Sequence, residues 1–182
     1  MKEFEFEAFE QFLATQSSAS KIYIGGDSRR AKSGGVWHAD YAIVAIVHVD
    51  GCKGCRVFGR MVREPDFDNN GKKPGMRLMN EVYKVAELYE QIKHLLTRFD
   101  VEIHLDLNSK KLTENKLNMS HLVVQQAIGY IRGTCQVEPK IKPDALAASY
   151  GADHLAQIWH YQKHATSVKP KFRTRDRKKK VA

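Results

Sequence analysis

From residue 21 onward the apolar residues switch repeatedly between the two-residue period of a strand and the roughly 3.6-residue period of a helix. That alternation restricts the fold more than any other property of the chain. KIYIGGD (21–27) reads as a short strand that stops at Gly25-Gly26, and RRAKSGG as a loop or hairpin turn. VWHADYAIVAIVHV (36–49) is β-branched and aromatic, enough for a full strand. DGCKGC (50–55) is a turn, and RVFGRMVRE (56–64) alternates as the hairpin partner of the strand before it. After a polar loop (65–75), residues 76–97 form the strongest helix, with Leu78, Val82, Val85, Tyr89, Ile92 and Leu96 at spacings of four and three. VEIHLDL (101–107) is a strand, NSKKLTENK (108–116) a polar loop, and 119–132 a helix closed by Gly133. VEPKIK (137–142) is a short strand, and 143–165 is mostly helix, with Gly151 as a point of interruption. The order β-β-β-α-β-α-β-α implies an α/β fold: a mixed five-stranded sheet with helices on both faces.

Composition excludes several classes. A chain of 182 residues, 42% hydrophobic and 28% charged, can bury a core and is not disordered throughout. No run approaches the ~18 apolar residues of a membrane span. The start, MKEFEFEAFEQFLATQ, is acidic and lacks the apolar stretch of a secretory signal. With three cysteines, the expectation is a cytoplasmic protein without a disulfide framework. The net charge of +9 is concentrated at the end: KPKFRTRDRKKKVA (169–182) carries +7. Such a tail suits contact with a nucleic-acid backbone, or serves as a solubilising end. The expected organisation is an N-terminal amphipathic helix within 1–20, a domain over 21–165 and a basic tail over 166–182.

Several carboxylates stand where solvation alone would not put them. Asp27 follows the apolar YIGG, Asp106 lies between Leu105 and Leu107, and Asp144 opens the last helix after KIKP. At about 100° per residue, Glu81 falls roughly 60° from the apolar stripe of the long helix, on the side that can reach the sheet, whereas Glu87 faces water. Each acid alone has a plain reading as a turn cap, an N-cap or a surface group. As a set, oxygen ligands without nearby Cys or His suit Mg2+ or Mn2+. Two such ions about 4 Å apart can activate a water and stabilise the leaving oxygen of a phosphodiester.

IGGDS (24–28), HLDLN (104–108) and KIKPDALAAS (140–149) resemble the YkuK family of predicted ribonuclease H-related nucleases, over about residues 21–155. The resemblance implies a ribonuclease H-like fold and two-metal-ion hydrolysis of phosphodiesters. Carried over by position, it makes Asp27, Glu81, Asp106 and Asp144 the catalytic, metal-binding carboxylates. GADHLA (151–156) is also similar to the last-helix segment of true ribonuclease H, which nominates Asp153 for the fourth place. Helical periodicity puts Asp144 near the stripe of Ala148, Ala152, Leu155 and Trp159 and Asp153 on its far side, so Asp144 ranks first and Asp153 stays open.

Other groups have competing readings. Cys52 and Cys55, with His48 and His38 nearby, offer fewer ligands than a closed zinc site needs and read better as a hairpin turn. His104 shares a face with Asp106 and reads as a packed, hydrogen-bonded side chain. Arg29, Arg30 and Lys32, and Lys72 and Lys73, are candidates for phosphate contact. Trp37 and Tyr41 are expected in the core, with base stacking the lesser option for them. The N-terminal phenylalanines are expected to pack on the domain; an exposed Phe-rich helix would instead offer a face to a partner or a second copy. The expected function is a Mg2+- or Mn2+-dependent nuclease acting on RNA, RNA–DNA hybrid or structured DNA. The alternatives are a catalytically inactive nucleic-acid-binding module or an assembly protein on the same fold.

Overall fold

The structure, a computed structural model, describes residues 3–68, 74–113, 116–117 and 119–165. Lys72, Lys73 and the basic tail 169–182 lie outside the described residues. The elements in chain order are α1 (Phe6–Ala14), β1 (Lys21–Ser33), β2 (Val36–His48), β3 (Cys55–Pro65), α2 (Gly75–Ile92), β4 (Asp100–Asn108), β5 (Leu112–Thr113), β6 (Lys116–Leu117), α3 (Val124–Cys135), β7 (Lys140–Lys142) and α4 (Leu146–Ala165).

The main sheet has the order β3-β2-β1-β4-β7. β1, β2 and β3 form an antiparallel meander, while β4 and β7 join β1 in parallel, as the expected α/β order requires. β5 and β6 form a separate small hairpin inside the stretch that reads from sequence as a polar loop.

The two faces of the sheet are covered unequally. One face buries Ile22, Ile24, Tyr41, Ile43 and Ile103 under α2, whose Leu78, Val82, Val85 and Ile92 form the expected stripe. The α-helical part of that stretch ends at Ile92, and a 3-10 turn (Lys93–Leu95) carries the chain to the buried Leu96. α1 docks on the same core, with Phe9 in edge-on contact with Phe58 at 5.1 Å between ring centres. The other face is a thinner layer of Ala42, Val44, Ile46 and Met61 against Ala152 and Ala156 of α4.

Glycines account for three departures from the sequence reading. β1 does not stop at Gly25-Gly26; it runs on to Ser33, paired with β2 from Lys21↔His48 to Ser33↔Val36. The turn is instead Gly34-Gly35, both at positive φ (58° and 83°), as a tight two-residue hairpin demands. Gly26 is needed for packing, because a Cβ there would lie 2.8 Å from Ile43 Cδ1 and 3.1 Å from Val85 Cγ2. Gly151 likewise does not interrupt α4, which runs through it; a Cβ at Gly151 would sit 2.6 Å from Ile46 Cδ1. Gly133 lies inside α3, and Gln136, at φ 56°, caps that helix in the left-handed conformation.

Tyr41 is buried as expected, but Trp37 is not a core residue: it is 43% exposed, because β2 there has passed beyond the helices that cover the sheet. No helix among the described residues is long and apolar enough to cross a membrane.

Candidate active site

The parallel ladder between β1 and β4 ends at Gly25↔His104. Two residues further along each strand stand Asp27 and Asp106, on the same face because side chains alternate. Beyond this point β1 continues only with β2, and β4 pairs with β7 through a shift in register between Leu105 and Asn108. The carboxylates therefore stand just past the end of the parallel β1–β4 ladder, where the two strands part, a usual place for a ligand in such a sheet.

Their charges press on one another. Burial is the main cause that raises the Asp27 pKa, and the Asp106 charge raises it further, against a smaller lowering by Arg29. Glu81 comes from α2 on the opposite side of the sheet and is only 2% exposed. Its pKa is pushed up to about 8, chiefly by burial and then by Asp27 and Asp106, against the lowering effect of Ser28 and Arg77. At neutral pH Glu81 therefore carries a proton. Asp27 and Asp106 thus lie near enough to Glu81 for their charges to act on it.

Basic side chains hold the group. Lys142, the last residue of β7, places its Nζ on Asp106 Oδ1. That oxygen is buried and receives no well-directed hydrogen bond. Arg29 Nε lies 3.5 Å from Asp27 Oδ2, and its Nη2 donates to Asp153 Oδ1. Arg77, one turn before Glu81, donates to the carbonyl of Ser28 and, at 2.6 Å, to its hydroxyl. Arg77, Asp106, Asn108, Ser120 and Lys142 line a cleft of about 350 Å³.

The two candidates for the fourth carboxylate are placed differently. Asp144 is exposed in the turn between β7 and α4, where its backbone N–H donates to Ile141 O at 2.9 Å. Asp153 is half-buried on α4, is joined to Asp27 through Arg29, and accepts a bond from Gln157 Nε2 at 2.5 Å. Periodicity alone puts Asp153 on the far side of the helix, but the length of Arg29 bridges that gap.

The donors suit a hard divalent cation: all are carboxylate oxygens, crowded enough to repel, and one buried oxygen of Asp106 lacks a hydrogen bond. Among the described residues, however, no three or more His, Cys, Asp or Glu side chains are grouped so as to hold a metal ion. Lys142 and Arg29 sit against the carboxylates instead. His104 is packed against Tyr23 and shares a 2.9 Å contact with Glu102, so it is a structural side chain as expected. Cys52 and Cys55 are exposed free thiols.

Sequence reasoning misses Lys142 and Arg77. Both carry a signal: Lys142 ends its strand as Asp106 nearly ends its own, and Arg77 precedes Glu81 by four residues and so shares its helix face. It also misses Asp68, whose carboxylate accepts from the N–H groups of Met76 (3.0 Å) and Arg77 (3.1 Å) and so anchors the start of α2.

A family model described as Ribonuclease H-like matches residues 5–157. No curated protein and no solved structure matches the chain.

Proposed function

The chain belongs to the ribonuclease H-like family, and from that premise we propose that it is a divalent-metal-dependent nuclease, of the YkuK branch, that hydrolyses phosphodiester bonds in RNA, RNA–DNA hybrid or structured DNA in the cytoplasm. The observation that carries the proposal is the meeting of Asp27, Asp106 and Glu81 near the parting of β1 and β4, where Asp27 and Asp106 raise the proton affinity of Glu81 and Asp106 raises that of Asp27. A fold has no structural need to crowd like charges in a buried place.

In this reading Asp27, Asp106 and Glu81 hold Mg2+ or Mn2+, two ions in all, with Asp153 or Asp144 as the fourth carboxylate. Bound there, such ions would supply an activated water and stabilisation of the leaving oxygen. The residues of the chain do the rest. Arg29 keeps Asp27 and Asp153 in fixed relation. Arg77 and Lys142, on the cleft wall, offer positive charge to a phosphate entering it. Glu81, protonated without a cation, would have to release that proton to serve as a ligand. The tail 169–182 adds charge against the backbone of the nucleic acid, and deleting it lowers the salt slope of duplex binding by ~0.9 for each phosphate that the tail neutralises.

One observation favours a second reading, a nucleic-acid-binding module without catalysis: Lys142 and Arg29 already neutralise the carboxylates. Cleavage of a panel of RNA, hybrid and DNA substrates by the wild type beside Asp106→Asn separates the two. The nuclease reading expects metal-dependent cleavage that falls by at least about 100-fold in the variant, with binding retained or tightened. Binding without cleavage by the wild type, under Mg2+ or Mn2+, gives the module.

A further inference from the structure

The β1–β2 hairpin projects past the candidate active site, and its tip carries an exposed aromatic plate. Trp37 is 43% exposed, although it is the side chain with most to gain from burial. The Arg30 guanidinium lies 4.3 Å from the centre of its ring, and Lys32 Nζ lies 5.6 Å from it. The plate is held firmly. Arg30 is paired with the buried carboxylate of Asp66 and donates to Asp68 O at 3.3 Å, while the Asp66 N–H donates to Trp37 O at 3.1 Å. Phe67, the next residue, is 60% exposed. Lys32 is exposed and forms no ion pair among the described residues, so its charge is available to a ligand.

Position along the strand gives this patch its meaning. Ser28, Arg30 and Lys32 alternate along one face of β1, and Trp37 stands directly opposite Lys32. Arg77, on the wall of the cleft, is bonded to Ser28. A strip of positive charge therefore leads from the cleft through Arg77, Arg30 and Lys32 to the Trp37 ring. At about 3.3 Å per residue, Trp37 lies ~17 Å along the strand from Asp27, whose side chain is on the opposite face, so a few nucleotides of an extended single strand passing the edge of the cleft at Arg77 and Asp106 span the distance.

We infer that Trp37 is a stacking platform for an unpaired base, held by Arg30 and with Lys32 beside it for the adjoining phosphate, so that the protein engages a single-stranded segment flanking the candidate active site. A flat ring with fixed cationic neighbours accepts any base face but cannot reach the stacked bases of a duplex. The inference rests on nucleic acid being the substrate and narrows it to strands with an unpaired portion.

The test is direct binding in EDTA, so that cleavage plays no part. Oligouridylate, oligothymidylate and a blunt duplex of equal length are titrated into the wild type, Trp37→Phe, Trp37→Ala and Lys32→Gln, with tryptophan emission and anisotropy recorded. Both single strands quench the wild-type emission, and Trp37→Phe loses that quenching while keeping most of the affinity. Trp37→Ala weakens single-strand binding roughly 5- to 100-fold and duplex binding less than about twofold, and Lys32→Gln lowers the single-strand salt slope by ~0.7. Unquenched emission, an unchanged affinity of Trp37→Ala, or equal losses for strand and duplex overturns the inference while leaving the nuclease proposal standing. Equal quenching by oligoglutamate overturns the assignment of nucleic acid to this patch. Failure of the wild type to bind any nucleic acid at low salt overturns the proposed function itself.

Discussion

Acids are taken out of water in two places, one on the sheet alone and one where the sheet meets α2, and they are treated in opposite ways. Asp40, on β2, is 2% exposed and is gripped by one guanidinium: Arg63 Nε donates to Oδ1 at 2.5 Å and Nη2 to Oδ2 at 2.6 Å. The pair is bidentate, and it raises the Arg63 pKa through the hydrogen bond to Asp40. Asp27, Asp106 and Glu81 are instead crowded together, and their basic neighbours are shared or attached at single points. A buried acid with its own matched base is architecture. Partly buried acids set against a buried one, without a matched base for each, are not explained by architecture alone.

That comparison breaks first on activity. Asp106→Asn should cost at least about 100-fold in cleavage, whereas Arg63→Ala should leave the rate per folded molecule within about threefold. Comparable losses in both variants would erase the distinction. Stability reverses the ranking. Arg63→Ala strands the Asp40 charge in the interior and should destabilise by about 3–5 kcal/mol. Asp106→Asn relieves repulsion and should stay within about 1 kcal/mol of the wild type. Denaturant unfolding in metal-free buffer reads both.

A smaller effect follows from Glu81. Its folded pKa of about 8 lies above the ordinary glutamate value of 4.5, so the proton is bound more tightly in the folded state. Its contribution is fully present below the unfolded pKa and is lost as pH rises through the folded one. Metal-free stability should therefore fall between pH 4.5 and about 8, by an amount on the order of a few kcal/mol, and Glu81→Gln should flatten that fall. Parallel pH curves for the two proteins would show that Glu81 is not pressed as described.

Much of this is legible in the sequence. The changes of period announce the element order, and an acid set in an apolar strand segment marks both Asp27 and Asp106, although Asp27 stands mid-strand and not at a strand end. The position of Glu81 beside the stripe of α2 announces its reach toward the sheet. What escapes is close approach. Gly25-Gly26 reads as a stop because glycine usually marks turns, yet Gly26 is there to let Val85 and Ile43 come near. Gly151 reads as a break for the same reason, and it admits Ile46. Side-chain reach is equally invisible: Arg29 ties Asp153 to Asp27 across a gap that periodicity treats as decisive. Trp37 looks like a core residue because its strand is apolar, and the sequence does not tell where the covering helices end.

The central claim is that Asp27, Glu81 and Asp106 form one place for a divalent cation, and thermal unfolding with and without Mn2+ tests it most directly. At a metal concentration ~100 times the dissociation constant, binding adds about 2.7 kcal/mol, which for a chain of this size raises the melting temperature by roughly 5–10 °C. The account predicts that rise in the wild type and its absence in Asp106→Asn. A wild-type melting temperature unmoved by millimolar Mn2+ and Mg2+, or an equal rise in both proteins, would contradict it.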